Sequence, residues 1–201
     1  YSSDICEDID GMEHVNFYLR KKTLCNYVMS GLDFFYQSYP KNHIVSACMA
    51  VYKRSFLKNY NIRFPKGIYY EDNFFYIEII INAKKIECIS EQLYIRRYRS
   101  GSIMTNTIVK KNCLDKIRVT ILVWDYIKKN YLIEWNKEIL CDYLLNSILE
   151  VIRIIEQYKE RKEIKEQEVI FIEKFVEQWG DLCENNLKLL HSYYSLLKIY
   201  Q

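Results

Sequence analysis

The chain has 201 residues, half of them hydrophobic, with 29 basic against 26 acidic side chains and a formal net charge of +3. That length suits one domain or slightly more, the charge is too small for a nucleic-acid surface, and two prolines and five glycines exclude a loop-rich or disordered chain. Seven scattered cysteines form no C-x-x-C pair, an irregular odd set that points to reduced thiols in a cytosol rather than a disulfide frame.

Residues 1–28 are polar and charged, with Asp4, Glu7, Asp8 and Asp10 clustered early. No signal peptide is visible there, and no apolar run reaches the length of a membrane span. The first residue is Tyr1, so the chain is expected to begin inside a longer protein. Asp8-Ile9-Asp10 has the letters of a D-x-D metal motif. Ser2 to Glu7 are polar and do not read as a buried apolar strand, and the triplet is read as a solvated acidic loop with no metal assigned to it.

Ser30-Gly31-Leu32-Asp33 reads as a helix start, with Ser30 as the cap and Asp33 where the helix dipole favours an acid. Pro40 ends that unit. Ile44 to Tyr52 is rich in small and β-favouring residues and reads as a strand. Its Ser46-Ala47-Cys48 places small side chains mid-strand, either for close packing or to leave room for a ligand ring. Arg54 to Tyr60 reads as a short helix.

The stretch from Asn61 to Thr105 joins paired acids, paired arginines and two glycine turns. Gly67 after Pro65 marks a turn. Glu71-Asp72 then open the apolar run Phe74 to Ile81, which is long enough for a helix and is closed by Ala83-Lys84-Lys85. Two strand-like runs follow, Ile86 to Ile89 and Leu93 to Arg99, the second ending in the turn Ser100-Gly101-Ser102. On a strand, Arg97 and Arg99 share one face, roughly 7 Å apart, while Arg96 alternates to the other. Two guanidinium forks and a hydroxyl beside turn N–H groups suit a diphosphate, and a basic edge strand is the plainer use of such residues. Carboxylates at a helix start can serve as caps, or as a base held in its ionised form by the local N–H groups.

From Thr107 onward the pattern is helical. Leu114, Ile117, Ile121 and Trp124 share a face, and Leu140, Leu144, Ile148, Val151, Ile155 and Tyr158 form a second stripe. Lys159 to Glu168 is a mixed-charge face, followed by a stripe through Ile172, Phe175, Val176 and Trp179 and a last helix over Leu187 to Ile199. His14, His43 and His191 stand alone, without a partner at catalytic or metal-binding spacing.

F-P-K-G-I-Y-Y-E-D-N-F-F at 64–75, A-K-K-I at 83–86 and Y-I-R-R-Y-R-S-G-S-I-M-T at 94–105 resemble the second half of a family 2 glycosyltransferase with a GT-A fold. Bacterial enzymes that build capsular and other surface polysaccharides carry such segments. Weaker matches lie at Met29-Ser30-Gly31, Ser46-Ala47-Cys48 and Tyr52 to Leu57, so the resemblance spans about residues 29–105. It implies an α/β fold: a partial GT-A-like segment with short strands over 1–105, then a mostly α-helical C-terminal bundle over 106–201. It also implies inverting transfer of a sugar from a nucleotide-sugar donor to a glycan or lipid-linked acceptor. In that reading Asp72 is the catalytic base, Glu71 orients the acceptor, and Arg97, Arg99 and Ser102 bind the donor diphosphate. A divalent metal, Mg or Mn, is expected in the complete enzyme, with ligands in a preceding half that also holds the nucleotide-binding units. The expected location is cytoplasmic, at most peripheral to the inner membrane face, with the helical tail available for packing, self-association or membrane contact. The chain on its own is expected to be inactive and to leave unpaired apolar surface around Val45 to Val51. The alternative is a non-catalytic helical interaction or membrane-surface module on a degenerate transferase remnant.

Overall fold

The computed structural model describes residues 2–5, 20–41, 43–96 and 110–131, together with Ile139, Asp142, Tyr143, Asn146, Ser147 and Glu150. These form a mixture of helices and a few short strands. In chain order they are β1 (Ser2–Ile5), β2 (Val28–Met29), α1 (Gly31–Ser38), α2 (Arg54–Asn59), α3 (Glu71–Asn82), β3 (Ile86–Glu87), β4 (Gln92–Arg96) and α4 (Lys110–Tyr131). Single 3-10 turns cover Lys22–Leu24 and Ala47–Met49. The chain divides into two compact units. One comprises residues 1–66 and 71–107; the other comprises residues 67–70 and 108–201.

Local signals set the helix starts in the first unit. The Ser30 hydroxyl oxygen accepts the Asp33 backbone N–H at 3.1 Å and its O–H donates to Asp33 Oδ2 at 2.6 Å. One orphan donor of the first turn is thereby satisfied. The helix closes at Ser38, and Tyr39 turns to φ −80°, ψ 142°, the extended backbone that a following proline imposes. α2 and α3 match the expected helices at 54–60 and 71–81 to within a residue. Lys84 and Lys85 are exposed and lie just beyond Asn82, past the last turn of α3 rather than within it.

α3 is the centre of this unit. Phe75, Ile77, Ile79, Ile80 and Ile81 are all buried, each burial contributing about 1.5–3 kcal/mol. Residues at 75, 77, 79, 80 and 81 point in several directions around a helix, so α3 is enclosed on most of its circumference. Ile62, Phe75 and Ile79 form one cluster, against which Ala47, Tyr52, Phe56, Leu57 and Ala83 pack. α1 lies directly on α3: the Gly31 N–H donates to the Ala83 carbonyl at 2.8 Å. A Cβ at Gly31 would sit 2.0 Å from the Ile80 carbonyl oxygen, so no larger residue fits.

The strands depart from expectation. Ile44 to Tyr52 is not a strand: it is extended chain interrupted by the 3-10 turn Ala47–Met49. β-propensity forms a strand only where a neighbouring edge accepts its hydrogen bonds, and among the described residues none lies beside it. Val51 is left 87 % exposed. The expected run Ile86–Ile89 shortens to Ile86–Glu87, paired antiparallel with Val28–Met29. The expected Leu93–Arg99 appears as β4, Gln92–Arg96, paired parallel with β1. Ser2–Ile5 is therefore a strand, although its polar sequence carries no strand pattern, because the partner edge supplies the hydrogen bonds that local propensity does not favour. Asp8 and Asp10, downstream of it, lie outside the described residues.

In the second unit α4 begins at Lys110. Ile117 and Trp124 are buried as their periodicity predicts, whereas Leu114 and Ile121 are only half-buried. Cys113, Val119, Val123 and Ile127 complete the apolar face. The residues of the stripe over 140–158 and of the later stripes lie outside the described residues; Tyr143, which belongs to none of them, is buried. No described helix is long and apolar enough to cross a membrane.

The close approach at Gly31 yields a first prediction. Gly31→Ala forces a methyl group against backbone that cannot swing aside, at the upper end of the ~1–3 kcal/mol cost of overpacking. The urea midpoint should fall with an unchanged m-value. An unchanged midpoint would show that α1 and α3 do not approach this closely.

Candidate functional site

The paired acids stand where the sequence puts them, in the first turn of α3. Both are half-buried, and the Asn73 amide donates to Asp72 Oδ1 at 3.2 Å. The chain reaches them through two residues with left-handed backbone, Gly67 at φ 76° and Tyr70 at φ 63°. Glycine adopts that conformation freely, whereas a tyrosine does so at a cost.

What holds residues 67–70 is visible within the second unit. Asp115 of α4, fully buried, accepts the Tyr69 backbone N–H at 3.0 Å. The Lys111 ammonium donates to the same carboxylate and, at 2.8 Å, to the Gly67 carbonyl. Arg118 Nη1 closes on the other carboxylate oxygen at 3.2 Å. Burial by itself would raise the Asp115 pKa; the Lys111 and Tyr69 hydrogen bonds, with the charges of Lys111 and Arg118, outweigh it and hold the carboxyl below its ordinary value. The two tyrosine rings are held as well. Lys111 Nζ lies 4.5 Å from the Tyr69 ring centroid and Lys116 Nζ 5.0 Å from that of Tyr70, within cation–π range. Lys116 is buried and paired with Glu150 at 2.7 Å. Neither Asp115 nor Lys116 stands out in the sequence. Their signal is a charge inside an otherwise apolar helical pattern, which reads equally as a solvated face.

Arg97, Arg99 and Ser102 lie outside the described residues. β4 ends at Arg96, directly before them.

A cavity of about 810 Å³ opens in the first unit. Arg20, Tyr52, Tyr76, Lys84, Lys85 and Leu93 are among the residues that line it; Glu71 and Asp72 are not. Ser46 lines it too, while Ala47 packs on the Ile62–Phe75–Ile79 cluster and Cys48 is exposed. The three small residues thus divide: Ser46 leaves room, and Ala47 permits close packing.

His43, solitary in sequence, is enclosed by rings. Tyr39, Phe35 and Tyr76 have centroids 5.4, 5.6 and 5.0 Å from its own, each nearly perpendicular to it. The Tyr76 hydroxyl is 3.5 Å from His43 Nδ1. Burial, helped by the charge of Arg20, lowers the His43 pKa to about 4, so the imidazole is neutral at pH 7. Burial also pushes the Tyr76 phenol up, against the opposing Arg20 charge and a hydrogen bond with Ser38. Both rings are neutral hydrogen-bonding groups.

Glu78 was hidden in the apolar run of α3. It is 8 % exposed, its Oε2 has no hydrogen-bond partner, and burial pushes its pKa up to about 7 against the opposing Arg63 backbone N–H. No group of His, Cys, Asp or Glu among the described residues is arranged to hold a metal ion.

No family model matches the chain, and neither the curated proteins nor the solved structures contain a match to it.

Glu78 makes stability depend on pH with a definite sign. Its folded pKa lies above the unfolded value of about 4.3, so between that value and about 7 the folded chain holds a proton that the unfolded chain has lost. Stability falls as pH rises through this window and levels off above it. Glu78→Gln removes the dependence. Its urea midpoint should gain on that of the wild type from pH 5 to pH 8, and a constant difference would show that Glu78 titrates as an ordinary surface acid.

Proposed function

We propose that this chain is the acceptor-side part of an inverting glycosyltransferase that uses a nucleotide-sugar donor and a glycan or lipid-linked acceptor in surface polysaccharide synthesis. The observation that carries the reading is the placement of Glu71 and Asp72. They occupy the first turn of a helix enclosed on most sides. A base for group transfer needs such a fixed position. The motif resemblance supplies the reaction.

In this reading Asp72 accepts the proton of the acceptor hydroxyl as that oxygen attacks the anomeric carbon. The bond from that carbon to the nucleoside diphosphate breaks on the opposite face, and the electron pair leaves with the phosphate oxygen. Glu71 orients the acceptor. Arg97, Arg99 and Ser102 receive the charge that develops on the leaving diphosphate, where preformed cations and hydroxyl donors are most effective. A divalent metal, Mg or Mn, belongs to this proposal, with ligands that the motif resemblance places outside this chain. The reaction belongs to the cytoplasmic side, where nucleotide-sugars are available.

The test uses the full-length protein that contains this chain. Asp72→Asn removes the proton acceptor with almost no change in volume. Transfer from a panel of nucleotide-sugars should fall by at least about a hundredfold, the low end for a general base, with donor binding retained. Transfer at a near wild-type rate would remove Asp72 from the mechanism.

The arginines have their own readout. Arg97→Ala or Arg99→Ala should weaken nucleoside diphosphate binding, and the deficit should shrink as salt is raised, because salt screens the interaction that was lost. Unchanged affinity in both variants, with only stability affected, would assign these residues to a basic strand edge.

A further inference from the structure

Cys25 and Cys88 are 63 residues apart in sequence, yet their Sγ atoms lie 3.7 Å from one another. Each residue is 3 % exposed. Their backbones are tied together, since the Asn26 N–H donates to the Cys88 carbonyl at 2.7 Å. The β2–β3 ladder lies beside them, with Val28 opposite Glu87 and Met29 opposite Ile86. Other contacts of the two thiols are weak: Cys25 Sγ is 3.5 Å from the Lys21 carbonyl and Cys88 Sγ 3.9 Å from that of Ile89. A disulfide needs sulfurs about 2.05 Å apart on neighbouring backbones. Here the backbones are already adjacent, and side-chain rotation has only a short distance to close.

We propose that Cys25 and Cys88 form a redox modification site, at which hydrogen peroxide converts a buried thiol pair into a disulfide. The cavity of the first unit sets the order of events, because Cys88 lines it and Cys25 does not. Cys88 sulfur attacks one peroxide oxygen, the O–O bond breaks, and one water leaves with a sulfenic acid on Cys88. Cys25 sulfur then attacks the Cys88 sulfur. The S–O bond breaks, a second water leaves, and the S–S bond forms. Two thiols have lost two electrons and two protons to the peroxide, and a dithiol reductant reverses the change. Burial pushes the Cys88 thiol up despite the nearby Arg20, so it reacts more slowly than an exposed thiolate, and among the described residues Cys48 is a competing exposed site. The closed loop restricts the unfolded chain, so the oxidised form resists unfolding better than the reduced form.

Treating the folded chain with hydrogen peroxide, alkylating the remaining thiols and mapping the digest without reductant tests this. The peptides bearing Cys25 and Cys88 should appear joined, two hydrogens lighter than the sum of the free pair, and should separate on adding dithiothreitol. The oxidised protein should melt at a higher temperature than the reduced one. That gain should persist in Cys48→Ser and vanish in Cys25→Ser and in Cys88→Ser. Mapping of the wild-type chain decides the matter even where a serine disturbs the buried site. If both cysteines are still alkylated after a dose that oxidises Cys48, or if either is joined to a different cysteine, the proposal is overturned.

Discussion

Helix α3 is surrounded by protein on most of its circumference, and the rest of the first unit is arranged to make that enclosure possible. Five large apolar side chains of one twelve-residue helix are buried. Such a helix needs neighbours on several sides. α1 provides one of them, and it can do so only because residue 31 lacks a side chain. Ala47, Tyr52, Phe56 and Leu57, from a segment that is neither sheet nor long helix, provide another. The first turn of α3, with Glu71 and Asp72, is consequently anchored by the packing of the turns that follow it.

Two buried carboxylates show how strongly local partners decide the state of an acid. Asp115 and Glu78 are both removed from solvent. Asp115 has a backbone N–H, an ammonium and a guanidinium on its two oxygens, and it stays ionised. Glu78 has one backbone N–H and an oxygen without a partner, and it holds a proton up to about neutrality. The difference lies in the donors delivered to each site by the tertiary fold, because burial acts on both in the same direction.

This contrast also explains what could be read from the chain beforehand. The Ser30–Asp33 cap, the starts of α2 and α3, the turn at Gly67 and the buried face of α4 near Ile117 and Trp124 all depend on residues within a few positions of one another. They were legible for that reason. β1 is not legible in the sequence because a short polar segment becomes a strand only when another edge is offered, and its partner β4 lies about ninety residues away. Ile44 to Tyr52 failed in the opposite sense: its composition favours a strand, and among the described residues no edge receives it. Likewise Asp115 looks like one charge of a mixed helix until its tie to Tyr69 is seen. His43 looks solitary until Phe35, Tyr39 and Tyr76 surround it. Of the candidate site, the acid pair was readable from motif and position together. In the second unit, the clamp on residues 67–70 is legible only in the fold.

Tyr70 carries a last consequence, for how this position can change over time. Its backbone adopts a conformation that glycine or asparagine would take with less strain, yet its ring lies against the ammonium of Lys116, and its hydroxyl is hydrogen-bonded with Asn112. Substitutions that relax the backbone discard the ring, and substitutions that keep an aromatic ring keep the strain. Neither single step improves both quantities, so residue 70 sits on a local optimum. A drift away from tyrosine there would strip the buried charge of Lys116 of its aromatic cover and leave it its ion pair with Glu150.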